Sequence, residues 1–155
     1  MKLWNTNKKG VEESAIRETE QKLNIRFPDQ YVQLFKLANG SEVGEWTLFP
    51  IKDPKNMKKT WDDVVRQNEE VLDDEISENL IAIAEDGTGD YLCLKVEDGK
   101  AEDPIFLWLH ESDETEELAP TLKDFIIATT QEELEDFDEE WMQENSVDSI
   151  WRSST

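Results

Sequence analysis

Three short apolar runs lie almost end to end in the second half of the chain: residues 80–84, 90–96 and 104–109, with the turn residues Asp86-Gly87-Thr88-Gly89 and Asp98-Gly99 between them. Runs this short, bounded by Asp-Gly, read as strands joined by tight turns. The gaps leave no room for the crossover helix that parallel neighbours require, so the segment is expected to form an antiparallel meander.

Helical periodicity flanks the meander on both sides. From about residue 11 to 23, Glu12 and Glu13 precede Ile16, Glu20 and Leu23, and Asn24 follows where a left-handed cap is favoured. Tyr31, Leu34, Phe35 and Ala38 then recur at helical spacing after Pro28, and Asn39-Gly40 marks a stop. A third helix is expected from about residue 60 to 72 on Trp61, Val64, Val65, Asn68 and Leu72. Residues 46–51 read as a strand ended near Pro50. Residues 111–117 read as an acidic loop, and Leu118, Leu122, Phe125, Ile126 and Thr129 as a closing helix packed on the sheet. At 155 residues one core is expected. The fold class is α+β, a single domain with N-terminal helices and a C-terminal helix on a largely antiparallel sheet. Residues 1–10 are expected to form a flexible leader, 11–130 the domain, and 131–155 an acidic helix or tail.

Charge narrows the partners. Residues 1–60 carry 11 Lys/Arg against 8 Asp/Glu, or +3, whereas residues 61–155 carry 5 against 30, or −25, and together these give the net charge of −22. A field of that sign repels phosphate, which disfavours nucleic-acid binding, and attracts basic protein surfaces. Cys93 is the one cysteine, so no internal disulfide forms and a reducing, cytoplasmic setting fits. There is no apolar leader of the secretory kind and no run long enough for a membrane span.

Chemistry-bearing residues are few. His110 stands alone, without the spacing of a catalytic triad, and reads better as a locally bonded polar residue at a strand end than as a general base. Cys93, between Leu92 and Leu94, reads as a small buried residue rather than a reactive thiol. The loop from Asp86 to Asp90 offers oxygens but lacks the twelve-residue calcium pattern and the third glycine of a phosphate cradle, so a hairpin turn is the simpler account. No catalytic residue, metal ligand or cofactor is nominated. The candidate partner-binding residues are Glu135, Asp136, Phe137, Asp138, Glu139, Glu140 and Trp141, an acidic tract with two aromatic anchors. The alternative for that tract is a solvated face that aids solubility. Trp61 and Trp108 are expected in the core.

The order of landmarks, Phe27-Pro28, Tyr31 and Phe35, Asn39-Gly40, Gly89-Asp90-Tyr91, the strand over residues 104–109 ahead of His110, and the closing helix around residues 122–127, resembles the SUKH superfamily, in the branch named for a yeast regulator of cell-wall assembly. The resemblance spans roughly residues 11–130. Phe27 and Asn24 stand where the family usually has Leu and Gly. The resemblance implies an α+β scaffold without catalytic residues that binds proteins. Many bacterial members neutralise a toxin, often a nuclease or deaminase, by binding its toxic domain. The expected partner is therefore a basic toxin domain; a general signalling scaffold is the alternative.

Overall fold

A computed structural model describes residues 4–5, 9–72, 75–77 and 79–133. The first helix, α1 (Glu13–Leu23), buries Ala15, Ile16, Thr19 and Glu20 and ends at Asn24, whose φ of 59° is the expected left-handed cap. Glu20 is only 3 % exposed, and its carboxylate accepts from the Phe27 backbone N–H at 2.8 Å and from the Arg17 guanidinium at 2.7 Å. A carboxylate on the buried stripe is tolerated because these donors replace water. They also lock the turn leading into α2 (Asp29–Leu37). Pro28, with φ −61° and ψ 152°, caps that helix rather than opening its first turn. Ala38, with an extended φ of −153°, stops it one residue ahead of Asn39-Gly40.

Phe27, Tyr31 and Phe35 stack along the inner face of α2, with ring centroids 4.3 and 4.5 Å apart. Tyr31 is 1 % exposed and its hydroxyl has no hydrogen-bond partner among the described residues, so burial pushes its phenol pKa upward. Tyr31→Phe removes a polar atom that gains nothing from burial. It is expected to leave stability unchanged or raise it by about 1 kcal/mol, read from the urea midpoint. A loss of more than that would show the hydroxyl to be bonded.

Among the described residues eight strands form one sheet in the order β1 (Trp4–Asn5), β2 (Glu42–Val43), β3 (Trp46–Leu48), β4 (Leu80–Glu85), β5 (Tyr91–Glu97), β7 (Ile105–Leu109) and β8 (Glu114–Ala119), with β6 (Lys100–Ala101) on the far end of β5. All these pairings are antiparallel, as the turn residues require. Asp98 and Gly99 both hold positive φ, 52° and 77°, between paired Glu97 and Lys100. That is the primed two-residue turn that Asp-Gly favours. The partner of β5 thus changes along its length: β7 opposes Tyr91, Leu92 and Cys93, and β6 opposes Val96 and Glu97. The connection between the first helices joins the sheet there, since Arg26 donates to the Gly99 carbonyl and accepts from the Ala101 N–H, both at 2.8 Å.

Two asparagine side chains stand in for missing strand partners. Asn39 donates to the Ile51 carbonyl at 2.9 Å and accepts from its N–H at 2.8 Å. Asn68 does the same for Ala82, at 2.9 and 2.8 Å, beside the bulge where β4 has run past the end of β3. A carboxamide carries one donor side and one acceptor side, as a peptide unit does, so it closes a ladder that would otherwise leave buried groups unpaired.

Three local expectations are corrected. The residues read as an acidic loop become strand β8 from Glu114, and Leu118 lies on that strand, 41 % exposed, rather than in the last helix. The last helix, α4, runs over Leu122–Glu133. Thr121 opens it, its hydroxyl accepting from the Asp124 N–H at 3.1 Å and donating to the Asp124 carboxylate at 2.8 Å. The third helix starts later than expected, because Asp63 caps it by accepting from the Val65 N–H at 3.3 Å. It is a short turn, α3 (Val64–Arg66), that widens into a π-helical turn over Gln67–Val71. Trp4–Asn5, within the stretch expected as a flexible leader, form strand β1 and pair with β2. The core between helices and sheet includes Ile16, Leu34, Phe35, Leu48, Ile83, Leu92, Leu94 and Ile126, each essentially inaccessible.

Candidate protein-interaction surface

Glu135, Asp136, Phe137, Asp138, Glu139, Glu140 and Trp141 lie outside the described residues, which end at Glu133. What the structure does place is the acidic approach to them. From His110 through Leu118 every residue is exposed, and Glu111, Asp113, Glu114, Glu116 and Glu117 fall within it without a lysine or arginine. Among the described residues strand β8 pairs only with β7 and ends the sheet. Carboxylates along such an edge repel a second copy and oppose edge-to-edge pairing, while leaving it open to cations.

The connection between β4 and β5 is a turn tied by its own residues. The Asp86 carboxylate accepts from the Thr88 N–H at 3.0 Å and from its hydroxyl at 2.6 Å, and Gly87 and Gly89 hold φ of 88° and 100°. No group of three or more His, Cys, Asp or Glu among the described residues is arranged to hold a metal ion. His110 is bonded locally: its Nδ1 lies 2.7 Å from the Asp90 carboxylate, which also accepts from the His110 backbone N–H at 3.1 Å. Those two bonds hold the Asp90 carboxyl below the ordinary range. A Cβ on Gly89 would sit 3.1 Å from the imidazole, so glycine lets the ring lie against the turn. The pair fastens the turn to the end of β7.

Cys93 is fully buried in the middle of β5, and burial pushes its thiol up to about 12. The thiolate that reacts is therefore scarce at neutral pH, and the sulfur is out of reach. Folded protein is expected to leave an aromatic disulfide reagent unconsumed for hours, with one thiol released in denaturant. Prompt reaction of the native protein would contradict this placement.

The two tryptophans expected in the core separate. Trp108 is 5 % exposed and its indole N–H donates to the Asp113 carboxylate at 2.7 Å. Trp61 is 62 % exposed, because the Asp63 cap starts the helix beyond it, and the Arg66 guanidinium lies 4.2 Å from its ring centroid. Thr60 and Asp62, on either side of Trp61 in sequence, line a groove of about 940 Å³ beside β3. The floor of the groove includes Leu48, Phe49 and Pro50, and Lys9, Lys55 and Lys59 line it together with Glu12, Asp53, Asp62 and Glu85. Lys55 meets Glu12 at 2.7 Å, which lowers the carboxyl pKa and raises that of the amine. The groove was not read from the sequence, since four separate segments build it. The lysines of residues 52–59, in a chain otherwise dominated by acids, were the available signal.

Among curated proteins none matches this chain. The family model described as SMI1-KNR4 cell-wall, of the SUKH type, matches residues 2–131 and so takes in the N-terminal strand that the resemblance had left aside. That match covers most of the chain, and its order of helices and antiparallel strands accords with an α+β SUKH-like fold. No helix among the described residues is long and apolar enough to cross a membrane. The chain belongs to the SUKH family described as SMI1-KNR4 cell-wall.

Proposed function

We propose that this chain is a non-catalytic, cytoplasmic binding module that neutralises a basic toxin domain, one acting on nucleic acid, by seating an acidic surface on it. The observation that carries the reading is the charge of −25 over residues 61–155, displayed in part on an edge strand exposed from His110 to Leu118. A toxin that grips nucleic acid presents a cationic cleft, and opposite fields speed encounter and favour that partner over others. The tract Glu135–Trp141 continues the same charge and adds Phe137 and Trp141, side chains of the kind that anchor interfaces. Family membership supports a binding scaffold rather than an active site.

The test is co-expression with the toxic domain encoded beside this chain, together with titration of the two purified proteins at low and physiological salt. Rescue of growth and a stoichiometric complex weakened by salt are expected. Cutting the chain after residue 133 should slow association if the tract takes part. No complex and no rescue would refute the proposal.

A further inference from the structure

The sheet ends at β8 with its outer side unpaired among the described residues. In an antiparallel ladder alternate residues turn both N–H and C=O toward the same neighbour, so every second residue of Glu114–Ala119 presents that pair outward. The ladder with β7 keeps one register from Leu109 opposite Glu114 to Phe106 opposite Glu117, and slips only beyond, where Ile105 faces Ala119. Residues 114–117 therefore offer a regular template. Edges of this kind are usually blunted by lysine, proline, a bulge or a cover. These four residues include neither lysine nor proline, and the irregularity lies past them.

What guards this edge is charge of one sign. Glu111, Glu114, Glu116 and Glu117 are exposed, and none is in an ion pair among the described residues. The pleat sets Glu114 and Glu116 on one face of the strand, about 7 Å apart, and Thr115 with Glu117 on the other. A second copy of this chain brings the same acids, and like charges directly opposite one another disfavour pairing. The guard fails against one kind of visitor, an extended segment with lysine or arginine at alternate positions. Such a segment turns each repulsion into a cross-strand ion pair while its backbone completes the ladder. At physiological salt, charges beyond about 8 Å are largely screened. A segment lying along the strand thus gains what a cationic surface held at a distance does not.

We propose that β8 accepts an extended, cation-bearing segment of the toxin domain as a further strand of the sheet. Lysine or arginine side chains stand opposite Glu114 and Glu116, and main-chain hydrogen bonds form with the outward groups of residues 114–117. The identity of the partner rests on the toxin-binding reading above, whereas the mode of holding rests on the edge itself. Charge brings the segment in, and the ladder fixes its direction and register.

The experiment is fluorescence anisotropy at physiological salt with the full-length chain and a labelled peptide of alternating Lys and Thr. The same peptide N-methylated at every central residue keeps its charge and loses its donors, and is expected to bind about tenfold or more weakly. Glu114→Lys/Glu116→Lys should weaken binding of the unmodified peptide about tenfold as well. Glu97→Lys/Glu102→Lys makes the same change of net charge on exposed side chains at the β6 end, and should weaken it about twofold or less. Circular dichroism checks that both variants fold. Amide hydrogen exchange gives a readout that charge pairing alone does not move: alternate amides of residues 114–117 should slow when the peptide is bound. Equal binding of the N-methylated peptide, equal weakening by the two double variants, or unchanged exchange along β8 would each overturn strand addition. Neutralisation of the toxin without slowing of those amides would overturn it too, and leave the toxin-binding reading standing. Slowing by the peptide without rescue of growth by the chain would sustain the mode of holding and refute the toxin as its source.

Discussion

Gly10→Ala is expected to destabilise the protein by about 3 kcal/mol and to lower its thermal midpoint by roughly 10 °C. A Cβ at this position would lie 2.1 Å from the Lys36 carbonyl oxygen, 2.5 Å from its carbon and 2.8 Å from the Leu37 carbonyl carbon. These are backbone atoms in the last turn of α2, so no rotamer change relieves the clash. The incoming chain has to lift. It is held on both sides of the glycine: Val11 donates to the Phe35 carbonyl at 3.0 Å, and Asn39 donates to the Lys9 carbonyl at 3.1 Å. Lifting the chain strains both bonds. Chemical denaturation of wild type and variant gives the difference directly. A loss below about 1 kcal/mol would mean that the segment is not seated on α2.

Asn39→Ala is the second large effect, expected at about 2–4 kcal/mol. The side chain is 7 % exposed and satisfies both polar groups of Ile51, itself inaccessible. Truncation strands a donor and an acceptor where water has little access, and each then carries its desolvation penalty in full. Asn39→Asp separates the two roles, since a carboxylate still accepts from the Ile51 N–H but confronts its carbonyl oxygen. Its loss should be no smaller than that of alanine. The corresponding change at Asn68, a part-buried position, should cost about 1–2 kcal/mol. If Asn39→Ala and Asn68→Ala both fell within experimental error of wild type, the peptide-mimic account would be wrong.

The pattern of what could be read in the sequence follows from how each element is held. Helix α2 and strands β4, β5 and β7 bury a face, so their apolar spacing is written in residues such as Tyr31, Leu34, Ile83, Leu92 and Trp108. Strand β8 has no such face before Ala119; Glu114, Thr115, Glu116 and Glu117 are all exposed, and pairing with β7 makes them a strand. Local spacing carries no trace of that. The two-residue strand β1 is likewise fixed by a partner distant in sequence, Trp4 opposite Val43. Trp61 fitted the helical period, but the cap at Asp63 decided where the helix begins and left the indole outside. The charge asymmetry was plain in the sequence. The groove was not, because its lining comes from residues 9–12, 39–40, 47–50, several positions between 53 and 62, and 85, brought together only by the fold.

The clamp on Asn39 also bears on how the molecule ages. Asn39 precedes Gly40, and an asparagine followed by glycine is prone to deamidation: the glycine nitrogen, unhindered by a side chain, closes on the carboxamide carbon and expels ammonia. Here both ends of the carboxamide are pinned to Ile51, and closure would require it to swing away from them. The native fold therefore slows this chemical clock at its most vulnerable bond, and the clock runs freely whenever the protein unfolds. Once it has run, the product carries aspartate or isoaspartate at position 39 and no longer has the donor that the Ile51 carbonyl needs, so each unfolding event leaves some molecules less able to return.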